Sequence, residues 1–169
     1  NGRFLFDMPM LRKYSEGVIC TTACVANMAA SCARKDRQEE AEKLILEYKD
    51  IFGDDFYLEV QPNAFDDQVK VNNFYLTMSK KHNIKLVATS DVHYVLKTDN
   101  KDHDVLVCVG TGTDIYNHNR MKYDHNFWLK SEEEMQDGFK YLINHSETEV
   151  NIAREKYALY LEAMHNTQE

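Results

Sequence analysis

The sequence predicts an α/β fold with mostly parallel strands and an open sheet edge. Strand-like and helix-like segments alternate along the chain, in units of roughly 30 residues, as parallel strands joined by helical crossovers do. Ala41, Leu44, Ile45, Tyr48 and Phe52 recur at helical spacing across Asp36 to Phe52. Ile84-Lys85-Leu86-Val87-Ala88-Thr89 is a compact strand pattern followed at once by polar residues. Only three segments read strongly as strands, against the roughly eight that close a β/α barrel. The sheet is therefore expected to keep an edge that other chain would complete.

In chain order, Met10 to Tyr14 predicts a short helix with Pro9 in its first turn, and Gly17 follows it as a breaker. Val18-Ile19-Cys20 predicts a buried strand. Thr21-Thr22 can cap a helix through Cys24, Val25 and Met28. Asp36 with Glu39 suits the start of the next helix, and Gly53 its end. Phe56 to Val60 predicts a second strand. Pro62-Asn63 marks a turn, and a helix from about Asp66 to His82 follows, with Val69, Asn72, Leu76 and Met78 inward and Asn83 as its stop. Ile84 to Thr89 is the third strand. A helix from about Asn100 to Val109 ends at Gly110 and Gly112, and residues 113–126 read as irregular. Phe127-Trp128-Leu129 is a short apolar piece. Ser131 with Glu134 is a capping box for another helix. A last helix covers about Glu147 to Tyr160, with a loose tail from Asn166.

At 169 residues the chain suffices for one domain that buries roughly 70% of its unfolded surface. The net charge of −8 argues against this segment gripping nucleic acid alone, since phosphate contact needs a basic face. There is no long apolar run for a membrane span and no signal-peptide pattern. Cys20, Cys24, Cys32 and Cys108 form no CxxC pair, so reduced thiols in a cytoplasmic protein are expected. The chain starts at Asn1 without a methionine and reads as cut from something longer.

The foremost chemical signal is Asp91-x-His93, directly after the third strand. Functional groups gather at the carboxyl ends of parallel strands. In an extended segment the two side chains would share a side and could hold a divalent metal. The alternative is a surface carboxylate beside a half-buried imidazole. Cys24, shortly after the first strand, can offer a thiolate to a soft metal, or serve as a small buried hydrophobe. Glu59 ends the second strand; it can be a ligand, a partner that orients His93, or a residue paired with lysine. His82 sits at a helix end, His103 beside Asp104, and His118 and His125 in the polar loop with Arg120 and Lys122. There is no Gly-rich phosphate loop and no GxSxG elbow.

Five blocks in order resemble the PHP domain of bacterial DNA polymerase III alpha subunits: Glu16 to Cys24, Phe52 to Glu59, Leu86 to Tyr94, His103 to Gly112 and Phe127 to Met135. Together they span nearly all of the chain. The resemblance implies a distorted β/α barrel whose carboxyl rim holds up to three divalent metals, zinc, manganese or magnesium. In some relatives that cluster hydrolyses phosphodiesters in 3′-5′ proofreading. In others the domain is a support that docks the exonuclease subunit. It implies Cys24, Asp91 and His93 as metal ligands, with Glu59 a possible supporting residue. The whole chain, 1–169, would be one domain, the later portion of a PHP domain. The early His-x-His and further ligands would lie upstream of Asn1, and Asn63 stands where many relatives have a histidine. The partners implied are the rest of the alpha subunit and, through it, the exonuclease subunit, the sliding clamp and DNA. Alone, the segment is expected neither to polymerise nor to hydrolyse DNA, and to bind metal weakly. Two further readings are a stand-alone PHP phosphoesterase resembling histidinol phosphatase and a metal-free interaction scaffold.

Overall fold

The computed structural model describes residues 6–123 and 126–168. Three strands, β1 (Cys20–Thr21), β2 (Phe56–Val60) and β3 (Leu86–Ala88), form one parallel sheet in the order β1-β2-β3. Cys20 pairs with Phe56, and Leu58, Glu59 and Val60 pair with Leu86, Val87 and Ala88. Side chains alternate across a strand. Phe56, Leu58, Val60, Leu86 and Ala88 therefore share one face, and all five join the main core. Tyr57, Glu59 and Val87 take the other face.

The helices follow from their boundaries. α1 (Met8–Lys13) is capped by Asp7 and carries Pro9 in its first turn. α2 (Met28–Arg34) and α3 (Gln38–Phe52) connect β1 to β2, and α4 (Asp66–His82) connects β2 to β3. α5 (Asn100–Thr111), α6 (Glu132–Ser146) and α7 (Val150–Asn166) complete the chain. The core joins the helix-facing side of the sheet to Ala30, Ala41, Ile45 and Tyr75 on α2, α3 and α4, and to Phe139, Leu142 and Tyr160 on α6 and α7. Phe139 and Tyr160 stack with ring centroids 4.3 Å apart. A second, smaller cluster of Tyr94, Phe127 and Trp128 forms where residues 93–95 run beside 127–129, held by His93 N–H to the Phe127 carbonyl (2.8 Å) and Leu129 N–H to the Tyr94 carbonyl (3.1 Å).

Several expectations are corrected. Val18 and Ile19 are exposed rather than buried in a strand. β1 is an edge strand, and among the described residues no further strand lies outside it. Thr21 and Thr22 do not cap a helix, because both hydroxyls serve the sheet. α2 instead begins after Asn27, whose carboxamide oxygen accepts from Ala30 N–H at 2.8 Å. Cys24 consequently lies in the loop before the helix. Asp36 takes a left-handed φ of 58° and does not cap α3, which starts two residues later.

The stops hold: Gly53 (φ 59°), Asn83 (φ 51°) and Gly112 (φ 66°) turn the chain at helix ends, and Gly110 sits inside α5. The Ser131–Glu134 capping box is formed. The tail is anchored rather than loose. Asn166 donates to the Leu86 carbonyl (2.9 Å), and the Thr167 hydroxyl both accepts from Ala88 N–H and donates to the Ala88 carbonyl (3.0 and 3.1 Å). These contacts occupy the outer edge of β3. Among the described residues no helix is long and apolar enough to cross a membrane.

Candidate metal site at the carboxyl ends of the strands

Parallel strands deliver their following loops to one side of the sheet. Cys24 follows β1, and Asp91 and His93 follow β3. All three line one cavity of about 360 Å³ together with Phe65, Gln68, Tyr123 and Phe127. The structure thus brings the three predicted ligand positions to one place, although Cys24 and Asp91 are far apart in sequence.

Both contributing loops carry unusual backbone. Ala23, directly before Cys24, has φ 52°, and Asp91 has φ 49°. Asp91 is therefore not in the extended segment that the sequence suggested. The chain bends there, so parallel topology brings the loops together while the bend at Asp91, rather than strand alternation, sets how Asp91 and His93 face the cavity. Left-handed backbone at non-glycine residues stores strain of about 1–2 kcal/mol. Replacing Ala23 with glycine is expected to raise stability by about 0.5–1 kcal/mol, read from urea unfolding.

The Cys24 loop is fixed by Asn27. Its side chain donates to the Cys24 carbonyl at 2.7 Å and to the Tyr75 hydroxyl at 3.0 Å while its oxygen caps α2. Asn27→Ala removes the cap and the tether together. An unfolding free energy about 1 kcal/mol lower is expected, with faster thiol labelling at Cys24.

Asp91 fixes the imidazole. His93 Nδ1 lies 2.7 Å from the Asp91 backbone carbonyl. A carbonyl only accepts, so Nδ1 carries the proton and Nε2 keeps its lone pair for a ligand. The ring is packed by Tyr123, Phe127 and His103 at centroid distances of 4.8, 5.1 and 5.6 Å. Burial raises the Asp91 carboxyl above its ordinary range; His93 opposes that shift and Glu59 adds to it. A carboxylate disfavoured in this way gains from a cation beside it.

Glu59, 8% exposed, binds the strand ends together. It accepts from Thr21 at the end of β1 (2.7 Å), from Thr89 just after β3 (2.5 Å) and from Gln61 (3.0 Å), while its own N–H donates to Thr22 at 2.8 Å. Its carboxylate partners are these hydroxyl and amide groups rather than a lysine or His93.

His82, the last residue of α4, meets Glu42 of α3 at 2.8 Å. His125 lies outside the described residues. Cys32 and Cys108 are buried, and Cys20 is half-buried with its thiol pushed up by burial.

The donor types suit a divalent cation: a thiol, a carboxylate and an imidazole with a free Nε2. Gln68, also in the cavity wall, has a buried Oε1 without a partner among the described residues. Among the described residues, however, no three His, Cys, Asp or Glu side chains stand close enough to hold an ion by themselves. The fit is one of chemistry and common cavity, with a first shell that the described residues do not close. Sequence reading missed Phe65, Gln68, Tyr123 and Phe127 as cavity residues, and His103 as the neighbour of His93. Only the short spacing of Phe65 and Gln68 at a helix start hinted at a shared wall.

The PHP domain family profile matches residues 2–63, which includes Cys24 and Glu59 but not Asp91 or His93. The chain is 40% identical over 148 residues to the DNA polymerase III subunit alpha of Borreliella burgdorferi, covering 87% of this chain and 13% of that protein. It is 34% identical over 141 residues to the protein of the same name from Campylobacter jejuni (77% and 12%). The Aquifex aeolicus relative is 39% identical over 103 residues (61% and 9%). The fold, the rim and these matches define a PHP-domain segment. The chain belongs to the PHP domains of DNA polymerase III alpha subunits. It spans about an eighth of the length of the first two of these relatives.

Proposed function

We propose that residues 1–169 form the later portion of one PHP domain of a replicative DNA polymerase III alpha subunit, and contribute part of a divalent-metal site for phosphodiester hydrolysis. The supporting observation is the shared cavity of Cys24, Asp91 and His93 at the carboxyl ends of β1 and β3. The open β1 edge and the sequential strand order fit a part of a distorted β/α barrel that further strands complete.

In this reading Cys24, Asp91 and His93 hold zinc, manganese or magnesium with ligands from the remaining barrel. Such an ion, held there, would supply Lewis acidity and a water acidified toward neutral pH. The protein's own work is positional. The Asp91 carbonyl holds the proton of His93 on Nδ1, and Glu59 keeps the three strand ends in register. The segment acts within a cytoplasmic polymerase, joined to the rest of the alpha subunit and, through it, to DNA, the exonuclease subunit and the sliding clamp.

The test uses a full-length alpha subunit carrying this segment and a 3′-mismatched primer. Mismatch removal should fall with His93→Ala while primer extension on matched DNA persists, and it should fall on chelation, which also stops extension because nucleotidyl transfer itself needs divalent metal. Removal that survives both treatments overturns the hydrolytic role.

A further inference from the structure

The cavity has more wall than a metal site needs. Tyr123 and Phe127 stand perpendicular, with centroids 5.5 Å apart and an interplanar angle of 89°. Phe65 enters from the start of α4, and Lys122 supplies a cation beside Tyr123. One turn into α4, Gln68 is 1% exposed. Its amide nitrogen donates to Asn72 Oδ1 at 2.9 Å, and its buried Oε1 has no donor among the described residues. An unpaired buried carbonyl is costly, so a group that brings an N–H to it gains more than an ordinary hydrogen bond.

We infer that this cavity is a pocket for one unpaired nucleobase, the terminal base of a strand whose phosphodiester is presented to Asp91 and His93. The inference rests on the phosphodiester reading and names what flanks the reacting group. A planar base offers a π-face to Tyr123 and Phe127 and ring or exocyclic N–H groups to Gln68. Its phosphate carries the charge that Lys122 answers. The volume of about 360 Å³ lies at the small end of the roughly 300–1,000 Å³ typical of small-ligand pockets. It has room for one nucleoside, the unit that a frayed end presents.

The experiment titrates this chain with deoxyadenosine 5′-monophosphate, and separately with deoxyribose 5-phosphate, by NMR in chelator. Base stacking should make the nucleotide bind at least ~10-fold tighter than the sugar phosphate. Tyr123→Leu should remove that difference and Tyr123→Phe should keep it. Gln68→Met should weaken the nucleotide severalfold; Asn72 Oδ1 still accepts from Gln61 N–H. If Tyr123→Leu disturbs the fold, Phe65→Leu takes its place. Equal binding of the two probes, or a folded Tyr123→Leu that binds the nucleotide like the parent, overturns the pocket. A parallel Mn²⁺ titration without nucleotide separates the two ideas. Mn²⁺ binding insensitive to Asp91→Asn sinks the metal reading alone, and nucleotide binding insensitive to Tyr123→Leu sinks the base pocket alone.

Discussion

Phe139→Ala is expected to cost about 3–5 kcal/mol of unfolding free energy, the range for deleting a fully buried aromatic ring. Phe139 is 0% exposed and stacks on Tyr160, itself fully buried, at an interplanar angle of 14°. The pair joins α6 to α7, so the cavity left behind has rigid walls on both sides and collapses poorly. A domain of this size has only about 5–15 kcal/mol in total. The variant should therefore unfold at a much lower urea midpoint and sit near the edge of folding at 37 °C. Chemical denaturation followed by circular dichroism measures it. Phe139→Leu, which keeps most of the volume, should recover more than half of the loss. A loss under ~1 kcal/mol for the alanine variant would mean that α6 and α7 do not pack as described.

Asp91→Asn should lower the affinity for Mn²⁺ at least ~10-fold, because even residues that merely support a metal ligand cost that much when replaced. The starting affinity is expected to be weak, since the described donors do not close a first shell. Paramagnetic broadening of the His93 and Asp91 signals reads it. The same substitution makes an opposite prediction for the metal-free protein. Burial raises the folded-state pKa of Asp91, so the unfolded chain loses its proton at lower pH than the folded one. Stability in the parent should therefore decline as pH rises from the ordinary aspartate value through the raised one. That decline should be absent in Asp91→Asn, which is neutral throughout. Weaker metal binding with undiminished apo stability would separate a ligand from a structural residue.

The sheet and its helices were largely legible because their signals are local. α4 runs from Asp66 to His82 and stops at Asn83 as its residues indicate, and the Ser131 capping box fixes α6. The errors came where tertiary partners claimed a local group. Thr21 and Thr22 are good helix caps in isolation, yet Glu59, distant in sequence, engages both. Val18 and Ile19 look like a core strand, and their exposure reflects the edge position of β1. The convergence of Cys24 with Asp91 and His93 follows from parallel topology, which alternation made readable. The aromatic wall was not readable, since Phe65 at the start of α4 is distant in sequence from the stretch that carries Tyr123 and Phe127, and only the folded chain brings the two together.

Asn166 and Thr167 make the sheet grow in one direction only. By engaging the Leu86 and Ala88 backbone, they act as a terminator on the β3 flank. Any strand that joins must then arrive beside Cys20 and Thr21. Clipping the chain before Asn166 would expose a second sticky border, and self-association through that border would compete with the pairing that enlarges the domain.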